Sequence, residues 1–192
     1  MILQALTLLT QELNAYLKAS FQTPQTRAVL AAHTSPAGAD LDNQMSVTLI
    51  NVGSEPTVRN QQPSRSGSGP YQQQAPALKL NLRVLIAANF SDYSEALKFL
   101  GATLAFFQGH PSLATTPGTP LGAAVDRLTV ELEDTSFQDW SYLWGMLGAK
   151  QMPGVVYRVK LLTIQADKGL LVPAITRVDT TTAVRPAPAA TR

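Results

Sequence analysis

The chain of 192 residues is 45% hydrophobic and 15% charged, with a formal net charge of +2, which is enough for one sizeable α/β core and leaves little for a second. It has no cysteine, so a disulfide framework and a thiolate metal site are both excluded, and a cytoplasmic origin is mildly favoured. Met1 is followed by neither a basic flank nor a small-residue cleavage site, and the longest apolar runs fall far below the roughly 20 residues of a membrane span, so a soluble protein is expected.

In chain order, residues 2–20 form an amphipathic helix. Ile2, Leu6, Leu9, Leu13 and Leu17 recur at spacings of three and four and make one stripe, which should cover a sheet. Residues 28–33 read as a short apolar strand, and 34–43, with Pro36, Gly38, Asp40 and Asp42, as a loop. Residues 45–52 form a second strand with Val47, Leu49 and Val52 facing inward. The stretch 54–76 holds four prolines and five glutamines and almost nothing apolar, and reads as a long flexible loop. Within it, Arg59, Arg65 and Tyr71 are candidates for touching a partner, with disorder as the alternative.

The stretch 77–110 is the one around which the rest is organised. Leu78, Leu80, Leu82, Val84 and Ile86 alternate with Lys79, Asn81, Arg83, Leu85 and Ala87, the period of a strand with one face on a core. Asp92 and Glu95 stand at a capping spacing, and the period then changes to 3.6. Leu97, Leu100, Leu104 and Phe107 form one apolar stripe, and Phe99, Ala102 and Phe106 a second. A helix apolar nearly all round must be covered on more than one side; its own sheet supplies one cover, and a neighbouring subunit is expected to supply the other. Phe99 and Phe106 are therefore candidate interface residues.

His110, Pro111, Pro117, Gly118 and Pro120 make a second irregular segment, and residues 125–133 a further strand. Residues 135–148 form a helix whose N-cap pair is Thr135 with Gln138 or Ser136 with Asp139, and which Gly145 and Gly148 weaken and close. Trp140 and Trp144 share one face of it. Both are readily explained as core, and both are candidates for packing on another subunit. Residues 155–166 form a long strand, and 170–178 a last strand broken by Pro173. A Pro/Ala tail follows, which stays extended. Val172, Ile175 and Val178 are candidates for adding a strand to a partner's sheet edge. The fold class is therefore α/β, a single mixed, mostly antiparallel sheet packed by two or three helices. Residues 1–169 make the domain, including the loop 54–76, and 170–192 an extended arm and tail.

Charge is unevenly placed. Residues 1–150 carry nine Lys and Arg against eleven Asp and Glu, and 151–192 carry six against two. Opposite charges could so meet across a repeated interface, or form two solvated patches. Basic residues are never clustered or interleaved with aromatics, which argues against nucleic acid. His33 and His110 stand in no metal-ligand spacing, and no GxSxG, GxxxxGK or GxGxxG occurs. Glu131, Glu133 and Asp134 are the only paired carboxylates of interest, and on a strand Glu131 and Glu133 share one solvated face. Catalysis, cofactor and metal are accordingly not expected.

The ordered series LNAYL, VTLINV, a Gln/Pro loop, ANFSDYSEALKFL, FFQGHP and LWGMLGAKQMPGVVYRV resembles the cap proteins of extracellular contractile injection systems, the phage-tail-like particles of the antifeeding-prophage and virulence-cassette type. The likeness covers roughly residues 1–170. It implies a tail-terminator-like subunit, six of which form a ring that ends the inner tube and binds the last sheath layer. The partners would then be the chain itself, the tube protein and the sheath protein, with no nucleic acid and no membrane. Such a protein is cytoplasmic during assembly and then part of the particle. A chaperone or baseplate adaptor of the same particle, and a small enzyme, are the alternatives.

Overall fold

In the computed structural model the described residues are 1–32, 42–54, 71–73, 78–114, 127–164 and 170–172, with backbone alone at 71–73, 78, 162–164 and 170–172. Their elements run, in chain order, α1 (Ile2–Phe21), β1 (Ala28–Leu30), β2 (Gln44–Ser54), β3 (Tyr71–Gln73), β4 (Leu78–Asn89), α2 (Tyr93–Gly109), β5 (Ser112–Ala114), β6 (Arg127–Glu133), α3 (Phe137–Leu147), β7 (Gly154–Ile164) and β8 (Leu170–Val172).

Six of these strands form one sheet in the order β1-β2-β4-β7-β6-β5. Only the β1–β2 pair is parallel, and the other four are antiparallel, the mixed, mostly antiparallel sheet expected. The strand organising the sequence is also central in space: β4 pairs with β2 on one side and β7 on the other. Side-chain alternation divides its residues between two faces. Leu82, Val84, Ile86 and Ala88 join Met45, Val47, Leu128, Val130, Tyr157, Val159 and Leu161 beneath α1 and α2. Leu85 and Ala87 join Val156 beneath α3, whose Leu143 and Trp144 cover them. The result is three layers, with two helices on one face of the sheet and one on the other.

Each helix begins and ends for a local reason. In α1 the spacing of three and four buries Leu6, Leu9, Leu13 and Leu17, and the helix stops where Gln22 turns left-handed (φ 49°) and donates its N–H to the Lys18 carbonyl. Asp92 caps α2 by accepting the Ser94 N–H at 2.8 Å, while Glu95 pairs instead with Lys98 at 2.7 Å. Ser136 caps α3: its Oγ accepts the Asp139 N–H at 3.1 Å and donates to Asp139 Oδ2 at 2.7 Å. Of the two expected cap pairs this is the one formed. Gly148, at φ 61°, closes that helix.

Several boundaries differ from expectation. The first strand is confined to three residues, while β2 runs on to Ser54 and leaves Val52 exposed; of the strand expected over 125–133, Arg127–Glu133 is described and residues 125 and 126 lie outside the described residues. The irregular segment after His110 contains β5, and the polar loop contains β3. Three-residue strands are too short to show a period, so pairing alone defines them. β3 and β8 form a separate two-stranded ladder, Tyr71↔Val172 to Gln73↔Leu170. The chain divides into two units, Met1–Gln61 with Pro76–Gln165, and Gln62–Ala75 with Ala166–Arg192, and this ladder belongs to the second. The segment leading into β4 thus pairs with the segment leaving β7.

Side-chain hydrogen bonds tie α1 to the sheet edge. Asn14 Oδ1 accepts the N–H of Arg27 at 2.9 Å and of Ala28 at 2.8 Å, and Asn14 Nδ2 donates to the Ala28 carbonyl. At the same end of the strands, on the far side of β4, Gly154 lies so near β4 that an added Cβ would stand 2.9 Å from the Ile86 carbonyl oxygen. Only glycine fits that approach.

Candidate functional site

The two stripes of α2 are divided otherwise than their spacing suggests. Ala96, Phe99, Thr103, Phe106 and Phe107 are buried, Leu100 and Leu104 are partly covered, and Leu97 is exposed. The covering rings come from the chain itself. Phe21 of α1 packs on Phe99 with centroids 4.3 Å apart, Phe90 stacks on Phe99 at 4.7 Å, and Tyr16 packs on Phe106 at 5.2 Å. Phe106 meets Phe107 at 4.8 Å, and Phe107 meets Tyr157 of β7 at 4.7 Å. Burial pushes the Tyr157 phenol up to about 12, because the phenolate would have to leave water. The second cover of α2 is therefore α1, within the same chain.

The predicted interface rings are thus placed unequally. Phe99, Phe106 and Trp144 lie in the interior of their own chain, whereas Trp140 is half-buried, edge-on to Trp144 at 5.9 Å. The exposed apolar side chains of α3 are Phe137 (84% exposed) in its first turn and, on another side of the helix, Tyr142 (61%) and Met146 (77%). Leu132, at the end of β6, is also exposed and lines a shallow groove of about 360 Å³ with Trp140, Gly154 and Val155. Tyr142 with Met146, and Leu132 with Trp140, each line a common groove, and apolar side chains grouped so are characteristic of contact surfaces. Of the predicted partner-contact residues, Tyr71 and Val172 are described by backbone alone and pair with each other. Arg59, Arg65, Ile175 and Val178 lie outside the described residues, as does His33.

Sequence reading missed a charged network beside α3. Glu133 Oε1 bonds Arg83 at 2.8 Å and Arg158 at 3.2 Å, and Lys160 bonds Glu131 at 2.7 Å. The Glu133 side chain is only 14% exposed, while the two arginines keep 52% and 39% of their surface. The register places Glu131 opposite Arg158 and Arg158 opposite Arg83, so neighbouring strands bring together residues up to 75 positions apart. The signal was present as Arg83 and Arg158, each a basic residue recurring inside an alternating strand, but no local spacing joins them. Between this network and α3 runs a groove of about 480 Å³, lined among others by Ile50, Asn51, Arg83, Asp139, Tyr142 and Met146.

A third groove, of about 620 Å³, lies at the start of α2. There Arg27 donates to the Asn43 carbonyl at 3.0 Å and sits 5.6 Å from the centre of the Phe99 ring. Among the described residues no group of three or more His, Asp or Glu is arranged to hold a metal ion, and no helix is long and apolar enough to cross a membrane. These surfaces are open, wide and mixed in polarity, the geometry of contact with another macromolecule.

Comparison with known proteins agrees with that character. The family model described as the Pvc16 N-terminal domain matches residues 4–176. Among solved structures, the chain is similar to the sheath/tube terminator, in the extended state, of the extracellular contractile injection system PVC. The identity is 16% and the TM-score 0.56, over 97% of this chain and 65% of that one. It is equally similar to the tube-terminating cap of the anti-feeding prophage, at 16% identity and TM-score 0.56, over 91% of this chain and 59% of that one. The chain thus spans somewhat under two thirds of each of these proteins, and at such identities the likeness is one of fold. No curated protein matches it.

Proposed function

The chain belongs to the Pvc16 N-terminal domain family, and from that membership we propose that it is a structural cap, the terminator of the tube in a phage-tail-like contractile injection particle. The observation that carries this reading is the family match over residues 4–176, together with a fold shared with two terminators. In the proposed assembly six copies close a ring on the end of the inner tube and contact the last layer of sheath, so that both stop growing. The role is structural, without catalysis. The chain is made and assembled in the cytoplasm and leaves as part of the particle.

Subunit contact is assigned to the exposed apolar residues of α3, Tyr142 and Met146 on one side and Phe137 in the first turn on another, with Trp140 at the margin. The enclosed rings of Phe99, Phe106 and Trp144 act from behind by holding α2 and α3 rigid. Burial of three such side chains would remove roughly 400 Å² from water, about half of one partner's share in an interface of standard size. Residues 1–169 form the cap domain. The arm from Leu170 onward, with Val172, Ile175 and Val178, and the loop residues Arg59, Arg65 and Tyr71 are assigned to tube and sheath contact.

Particles assembled with and without the protein test this directly. Omission should broaden the distribution of particle lengths, and a labelled copy should be seen at the end opposite the baseplate. A label at the baseplate, with lengths unchanged, would instead indicate an adaptor. A mass near six chains of 20.6 kDa on tube ends supports the ring. Deleting residues 170–192 should weaken sheath binding, and unchanged capping would refute the arm's role.

A further inference from the structure

The face of the sheet that α3 covers is only half covered among the described residues. α3 rests on Leu85, Ala87 and Val156. Further along the same strands, alternation places Lys79, Asn81 and Arg83 of β4, Arg158 and Lys160 of β7, and Arg127, Thr129, Glu131 and Glu133 of β6 on that face. Five basic residues stand against two acidic ones, a balance of +3. Glu133 already serves both Arg83 and Arg158, and Glu131 serves Lys160. Lys79 and Arg127 have no carboxylate within ion-pair distance among the described residues. The excess therefore gathers at the end of the face away from α3, where the register sets Lys160 beside Asn81 and Thr129. Asp134 and Asp139 border only the end nearest α3, and Asp139 is engaged by Ser136.

We propose that this half-face, which no described element covers, is a docking surface for an acidic protein surface, one that presents several carboxylates to Lys79, Arg127, Arg158 and Lys160. Three neighbouring strands span about 10 Å, and alternate residues on one strand lie about 7 Å apart, so the patch matches a compact cluster of side chains. One feature favours protein over nucleic acid: among the described residues of this half-face, on β4, β6 and β7, no aromatic side chain offers a base a surface on which to stack. The proposal rests on the sheet alone and does not depend on the number of copies in a ring.

The test uses the full chain and fluorescein-labelled poly-L-glutamate, with a labelled DNA duplex of equal charge as comparator, read by anisotropy. Wild-type protein should bind poly-L-glutamate in 50 mM NaCl and lose about tenfold or more in affinity by 300 mM, since exposed pairs are screened. The variant Lys79→Glu/Arg127→Glu/Lys160→Glu should bind at least about tenfold more weakly in 50 mM NaCl, with the Glu133 network intact. Should it melt early, the milder Lys79→Gln/Arg127→Gln variant is measured instead and should still bind more weakly than wild type. Equal binding by a folded variant overturns the proposal, as does no binding by wild type at 50 mM. Tighter binding of the duplex, lost in the same variant, overturns it in favour of a nucleic-acid surface.

Discussion

Replacing Asn14 by Ala removes a side chain that pairs with the backbone of the sheet's first strand. Its carboxamide accepts from two N–H groups, of Arg27 and Ala28, and donates to the Ala28 carbonyl. Asn14 is half-buried, so water reaches part of what is exposed, and each lost bond is worth about 1 kcal/mol rather than the larger penalty of a sealed site. Three bonds give about 3 kcal/mol, from which about 0.5 kcal/mol is recovered because alanine is the better helix former. A net loss of about 2.5 kcal/mol should lower the melting temperature by about 5–10 °C for a chain of this size. Urea unfolding should show a lower midpoint at an unchanged slope. Asn14→Asp, which keeps the accepting oxygen but sets a second oxygen against the Ala28 carbonyl, should fall between the two. A loss under about 0.5 kcal/mol for Asn14→Ala would show that water satisfies β1 unaided and that its attachment rests on packing alone.

Other substitutions separate effects in the same manner. Gly154→Ala should cost about 1–3 kcal/mol, because the new methyl meets the Ile86 backbone, whereas Gly145→Ala, with open space at its Cβ inside α3, should stabilise by about 0.5–1 kcal/mol in the same urea titration. Trp144→Ala should cost about 3–5 kcal/mol in the isolated chain. Phe137→Ala should cost less than about 0.5 kcal/mol there while weakening association between copies, as sedimentation velocity would report. The phenol of Tyr157 holds its proton more tightly folded, at about 12, than unfolded at 10.0. The stability it contributes is full below pH 10 and lost as pH rises toward 12, on the order of 2–3 kcal/mol, and Tyr157→Phe should remove that part of the alkaline decline in urea stability.

The helices and long strands were legible because their residues repeat. Leu6, Leu9, Leu13 and Leu17 declare a buried stripe, and the alternation of Leu82, Val84 and Ile86 with charged and small residues declares a central strand. What covers an apolar stripe is not written in its spacing. The second side of α2 called for a neighbouring subunit, yet Tyr16 and Phe21, 90 and 78 residues earlier, reach Phe106 and Phe99 inside one chain. Trp140 and Trp144 were rightly placed on one face, but periodicity could not tell the ring that faces the sheet from the one at its margin. The Arg83–Glu133–Arg158 network and the clasp of Asn14 on β1 depend on pairings across many residues, and β3 and β5 are too short for any pattern to show.

The central position of β4 has a consequence during synthesis. Its neighbour β7 meets it with Gly154 opposite Ala87, so 67 residues must emerge from the ribosome after Ala87 before that flank begins to close. Until then a long, mostly aliphatic strand stands with one bare edge, a template for misdirected pairing that a holdase would need to shield. Nascent chains stalled between residues 115 and 150 should therefore be aggregation-prone and quickly degraded, as a comparison of stalled and released chains in a translation extract would report.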